Sequence, residues 1–162
     1  MKRSGEAGIG ICAIKAASFA RVRAGRIVEV RVGRLAHIAD VESLNAAVFA
    51  AVYQVGPGAV ICSDHRGAAP LTGEVANAWS RGMRRANASI ARGALLLDPS
   101  NTMYNLQIER VVHCAGNEDR RLFRDADKLC DWLEGTLTEP EREAVKRWAS
   151  PRIFDERGVD VT

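Results

Sequence analysis

"AVICSDHRGAAPLTGEVANAW", residues 59–79, runs from a short apolar stretch through a polar cluster into a helical pattern. "AVIC" (59–62) follows the turn signal "GPG" (56–58) and reads as a strand buried on both faces. Thr72 stands where a helix over 73–88 needs its cap, and Val75, Trp79, Met83 and Ala86 recur on one side of that helix. A buried strand followed by an amphipathic helix argues for an α/β arrangement, and Cys62, Ser63, Asp64 and His65 fall at the junction between the two.

The same grammar extends in both directions. Upstream, "SFARVRAGRIVEVRVGRL" (18–35) alternates, with Val28, Val30 and Val32 on one side and Glu29 and Arg31 on the other. This predicts two half-exposed antiparallel strands, about 18–23 and 26–33, turning at Ala24-Gly25. Asp40 is placed to cap the helix "DVESLNAAVFAAVYQV", whose Leu44, Ala47, Val48, Ala51, Val52 and Val55 form an apolar stripe. Downstream, "GALLL" (93–97) is a second buried strand, and "DPSN" offers caps for a helix over 101–115 carrying Tyr104, Ile108, Val111, Val112 and Ala115 inward. "RLF" (121–123) reads as a short edge strand. Asp125 then caps "ADKLCDWLEGTL", and "TEPE" (138–141) is a capping box with proline in the first turn. Helices alternating with apolar strands predict an α/β domain with a mixed sheet, an N-terminal hairpin and extra C-terminal helices. The domain spans 18–149, between an N-terminal segment (1–17) and a C-terminal tail (150–162).

Composition bounds the function. The 162 residues are 47% hydrophobic and 27% charged, enough for one real core. The longest apolar run, "AAVFAAVY" (46–53), is far short of the roughly 20 residues that span a bilayer, and "GIGICAI" (8–14) is too short and too poorly flanked for a secretory signal. A cytoplasmic protein is expected. The four cysteines (Cys12, Cys62, Cys114, Cys130) contain no CxxC pair, so they read as buried thiols rather than a disulfide framework. The net charge of +3 hides an asymmetry: residues 1–39 hold eight basic and two acidic side chains, and residues 116–162 hold nine and twelve.

Five chemistries compete for these residues. A Cys–His enzyme needs a thiolate with a base in reach; Cys62 and His65 are candidates, but alternation turns Cys62 into the core. Cys62, His65, His113 and Cys114 offer four soft metal ligands without zinc-finger spacing, so two core thiols and two ordinary histidines are the simpler expectation. No glycine-rich phosphate loop is present, and no cofactor is expected. The arginines of "WSRGMRRANASIARG" share a helix face at Arg81, Arg84 and Arg85, suited to an acidic protein partner. Nucleic acid is not expected, because the overall balance is only mildly basic and aromatics are 6% of the chain. A phospho-switch would use Ser63, Asp64 or Thr72 near a partly positive helix N-terminus, although capping alone explains Thr72.

The order of elements is similar to that of bacterial members of the STAS/Sec14-like superfamily, the SpoIIAA-like domains. The likeness rests on "FARVRAGRIVEVRV", "LNAAVFAAVYQV", "AVICSDHR", "ARGALLL" and "RRLFRDADKLCDWLEGTLTEPE", with Phe123, Asp125, Trp132 and Leu133 as its C-terminal markers. It covers roughly 18–145. The resemblance implies a non-enzymatic regulatory or scaffolding domain that binds another protein, with a homodimer as one form. In anti-sigma-factor antagonists of this group the loop after the central strand carries a phosphorylatable serine. Here eight residues separate Ser63 from Thr72 and no Asp-Ser-Ser/Thr cluster occurs, which favours plain partner binding. Sec14-type relatives imply the alternative, a lipid or apolar-ligand carrier. A Cys/His-dependent enzyme stands third.

Overall fold

The computed structural model describes residues 17–153 together with 156 and 157. The N-terminal segment, Cys12 and most of the tail therefore lie outside the described residues.

Phe19–Ala24 (β1) and Ile27–Arg31 (β2) pair antiparallel. They turn at Gly25, whose φ of +49° lies in the left-handed region that side chains disfavour. The turn is also pinned from outside. Glu141 accepts hydrogen bonds from the Arg26 backbone N–H at 2.9 Å and from its guanidinium at 3.1 and 2.8 Å. A Cβ on Gly25 would lie 2.6 Å from Glu141 Oε1.

From β2 the chain runs through Ile38–Val55 (α1), Ala59–Asp64 (β3), Gly73–Ala86 (α2), Ile90–Leu96 (β4), Thr102–Ala115 (α3), Arg120–Phe123 (β5), Ala126–Glu134 (α4) and Glu139–Ala149 (α5). The sheet order is β1-β2-β3-β4-β5, with β2 to β5 mutually parallel. Each crossover steps one strand in the same direction, and right-handed crossovers then place α1, α2 and α3 on one face. The core divides accordingly. Val28, Val30 and Leu95 pack with Leu44, Val52, Trp79 and Ile108, whereas Ile27, Val60, Cys62 and Leu96 pack with Leu129, Leu133, Val145 and Trp148 of the C-terminal helices. The expected α/β architecture, with its mixed sheet, N-terminal hairpin and extra C-terminal helices, is the observed one.

Two local expectations need correction. Strand β2 is not half-exposed: Glu29 is buried, because the second face of the sheet is covered too. Arg21 and Arg23 of β1 close over Glu29, donating to its Oε2 at 3.0 and 3.1 Å. Asp40 does not precede its helix either. It sits in the first turn of α1 and reaches back, Oδ2 accepting from the N–H groups of Ala36 and His37 at 2.9 Å each. His37 holds the cap position instead, its carbonyl accepting from Asp40 N–H at 3.0 Å while Asp40 accepts in return from the His37 N–H.

Helices α1 and α2 meet at Gly82, where a Cβ would lie 2.1 Å from Asn45 Nδ2 and 2.6 Å from Asn45 Cγ. The two helices approach this closely only because position 82 lacks a side chain. Gly82→Ala is therefore expected to lower stability in urea by about 1–3 kcal/mol. Most of that cost should disappear in an Asn45→Ala background. An equal cost in both backgrounds would place the strain elsewhere.

Candidate functional site

Side-chain alternation along β3 turns Ile61 and Ser63 toward α1–α3, and Val60, Cys62 and Asp64 toward α4 and α5. The backbone continues the ladder for one more residue, His65 N–H donating to Leu96 O at 2.9 Å. Both faces being covered, Ser63, Asp64 and His65 are all buried.

The His65 ring stacks on Trp79, centroids 5.5 Å apart and planes 17° apart. Its Nδ1 lies 2.7 Å from the Tyr104 hydroxyl and its Nε2 lies 2.8 Å from Ser63 Oγ. Burial pushes the imidazole pKa from 6.5 down to about 3, with the Asp64 charge opposing this only in part. The ring is neutral, so one nitrogen donates and the other accepts. No described group other than His65 bonds the Tyr104 hydroxyl, so if Nδ1 carried the proton the phenolic hydrogen would be buried without an acceptor. Either tautomer leaves one hydroxyl hydrogen without an acceptor among the described residues. Tyr104 is the more deeply buried, whereas Ser63 lines a small cavity. The favoured arrangement therefore has Tyr104 O–H donating to Nδ1, Nε2–H donating to Ser63 Oγ, and the Ser63 hydrogen turned to the cavity.

On the other face Asp64 is clamped by two arginines. Arg66 donates to it from its backbone N–H at 2.9 Å and from its guanidinium at 3.1 and 3.0 Å. Arg152, from the stretch read as a tail, adds bonds of 3.0 and 2.6 Å. Burial opposes ionisation of Asp64, but the hydrogen bonds from Arg66 and the charges of Arg152 and Arg66 outweigh it and hold the carboxyl below its ordinary range. Arg66 also donates to the carbonyls of Ala149 and Ser150 at 3.3 and 3.1 Å, which ties the end of β3 to the end of α5.

The residues singled out from sequence thus separate. Cys62 points away from Ser63 and His65, and burial pushes its thiol pKa up, far from the range of a reactive thiolate. Cys114 is not a core thiol: it is exposed beside His113 on the outer side of α3, where the inward stripe leaves no room for it. Among the described residues no group of three or more His, Cys, Asp or Glu gathers as for a metal. Thr72 caps α2, its Oγ1 accepting from Val75 N–H at 3.4 Å. Arg81, Arg84 and Arg85 are exposed on the outer side of α2, and Arg84 donates to the carbonyl of Cys114 at the end of α3. Two participants escaped the sequence. Tyr104 was legible only as part of an apolar stripe, and Arg120, a buried arginine at the start of β5, gave no signal at all.

No helix among the described residues is long and apolar enough to cross a membrane. No protein-family model matches the chain, and no curated protein matches it. Among solved structures, the chain is similar to an uncharacterized protein from the DUF3478 family with a SpoIIAA-like fold, from Shewanella loihica PV-4. The two share 19% identity, over 66% of this chain and 82% of that one, with a TM-score of 0.47.

The lowered pKa of His65 makes a signed prediction. Between 6.5 and about 3 the unfolded chain binds a proton that the folded chain refuses, so stability falls as pH falls. The expected slope approaches 1.4 kcal/mol per pH unit at most, at about 25 °C. Urea denaturation from pH 7 to 5, a range above the carboxylate titrations, should show this loss in the wild type and a flatter profile in His65→Gln. Equal slopes would mean that His65 is not held neutral.

Proposed function

We propose that this domain is a non-enzymatic interaction module that docks an acidic protein through the outer face of α2. The observation that carries the reading is the state of Arg81, Arg84 and Arg85. They share one helix face, they are exposed, and among the described residues none of them forms an ion pair. The buried carboxylates Glu29, Asp64 and Glu141, by contrast, each have arginine partners. Exposed cations without a counter-charge on their own chain suit a partner that offers carboxylates.

The closed state of the β3 terminus supports the same reading. A general base must reach the proton it removes, and the His65 ring is enclosed by Trp79, Tyr104 and Ser63. A buried thiol with a raised pKa is a poor nucleophile. The chemistry-bearing side chains are spent on holding the fold, and the exposed ones are suited to recognition.

Reversing Arg84 and Arg85 to Glu tests the reading. Proteins retained by the wild-type domain from a native extract should be lost, while the double variant stays folded with a loss of only about 1–2 kcal/mol, from the missing Arg84 bond to Cys114 O and two anions in the last turn of α2. Retention should also weaken as salt rises, with screening over roughly 8–10 Å. A double variant that keeps every partner would remove this face from consideration.

A further inference from the structure

Helix α1 lacks the outer face of a solvated helix. Its only charges, Asp40 and Glu42, stand near its start, and from Ser43 to Val55 it carries none. In that stretch Ser43, Ala46, Ala50, Tyr53 and Gln54 are exposed. The first four recur at three and four, so they share one side. An exposed helix face is ordinarily charged or polar, as the arginines make the outer side of α2. Tyr53 departs furthest from that rule, at 90% exposed.

The face complements itself. Ala46 and Ala50 are small enough to let the axis of a second helix come within about 8 Å. When that helix is α1 of another copy, antiparallel about a twofold axis at the level of Val48, Ala46 of each copy opposes Ala50 of the other. The same axis is halfway between Ser43 and Tyr53, so each Tyr53 falls opposite Ser43 of the second copy. Ser43 borders an open groove of about 400 Å³, walled by Leu35, Ala36, Leu44 and Ala47. A void of about 150 Å³ already holds benzene, so the phenol ring has room there, with Ser43 and Arg34 in the groove to meet its hydroxyl. Charge agrees with the geometry. The axis sets Glu42 opposite Gln54, so no like charges are opposed. A charged partner, by contrast, would find no counter-charge on α1 beyond Glu42.

We propose that two copies of this chain associate through α1, antiparallel about this twofold axis, with Tyr53 of each seated in the groove beside Ser43 of the other. The face is separate from the arginines of α2, so either assignment can fail without the other. The 18 residues of α1 make a contact about 27 Å long. One such helix pair lies at the low end of specific interfaces, below about 1,200 Å² in total. That size suits a reversible dimer rather than an obligate one, with a dissociation constant on the order of ten micromolar.

Sedimentation equilibrium of the full chain, from about 1 to about 200 μM so as to bracket that affinity, tests the proposal. The wild type should pass reversibly from monomer to dimer. Ala46→Glu and Ala50→Arg each bring two like charges within about one helical turn of each other across the axis, and each should weaken dimerisation at least tenfold. Both positions are exposed and both new residues favour helix, so the melting temperature should hold. The double variant Ala46→Glu/Ala50→Arg should recover dimerisation, because each introduced carboxylate then faces an introduced guanidinium of the other copy. Tyr53→Ala should weaken the dimer at least tenfold, and Arg84→Glu/Arg85→Glu should leave it intact. A wild type that stays monomeric, whatever else covers its α1 face, would overturn the proposal. So would undiminished dimerisation in Ala50→Arg, or a double variant no better than its singles.

Discussion

Strand β3 is covered on both faces, by α1–α3 on one side and by α4 and α5 on the other, so every polar group at its C-terminal end has to find a partner inside the protein. An open α/β sheet usually meets solvent there, at the carboxyl ends of its strands. Here Ser63, Asp64 and His65 emerge instead into a protein interior. A buried polar group left unpaired costs roughly 1–3 kcal/mol, and the local structure is organised around avoiding that cost. The His65 ring bridges Ser63 and Tyr104 on one face, joining β3 to α3. Asp64 binds Arg66 and Arg152 on the other, joining β3 to the chain beyond α5.

Buried carboxylates recur as the device that locks elements together. Glu29 takes two arginines from β1, and Glu141 takes Arg26 from the hairpin turn while its Oε2 also accepts the N–H of Thr138 at 2.9 Å. Burial opposes the Glu141 charge, yet the hydrogen bonds from Arg26 prevail and hold its pKa at about 2. Such pairs add little net stability compared with apolar packing, but losing one partner leaves a buried charge and is severe. They therefore fix which segments meet. Arg120 breaks the pattern, a buried cation answered among the described residues only by the neutral oxygens of Asn87 and Met83.

The frame was legible from sequence because it depends on local signals. The stripe of Tyr104, Ile108, Val111, Val112 and Ala115 is fully buried as its spacing requires, and Thr72, Asp125 and Thr138 sit at the starts of their helices. What failed depends on contacts distant along the chain. Glu29 alternates with valines as if solvated, and nothing in its neighbourhood announces that β2 is covered on both faces. His65 and Tyr104 are 39 residues apart, and neither carries a sign of the other. Asp64 looks like the exposed end of a strand until Arg152 arrives from 88 residues away. Local pattern reveals periodicity and caps, whereas the partner of a buried charge is set by topology.

The account stands on His65 being neutral and held in one tautomer at the end of β3. The imidazole ¹⁵N chemical shifts, followed from pH 7 to 5, test this directly. The account predicts a protonated Nε2, an unprotonated Nδ1 accepting from Tyr104, and no titration across that range. An imidazolium forming near the ordinary pKa of about 6.5, or a proton resident on Nδ1, would contradict it.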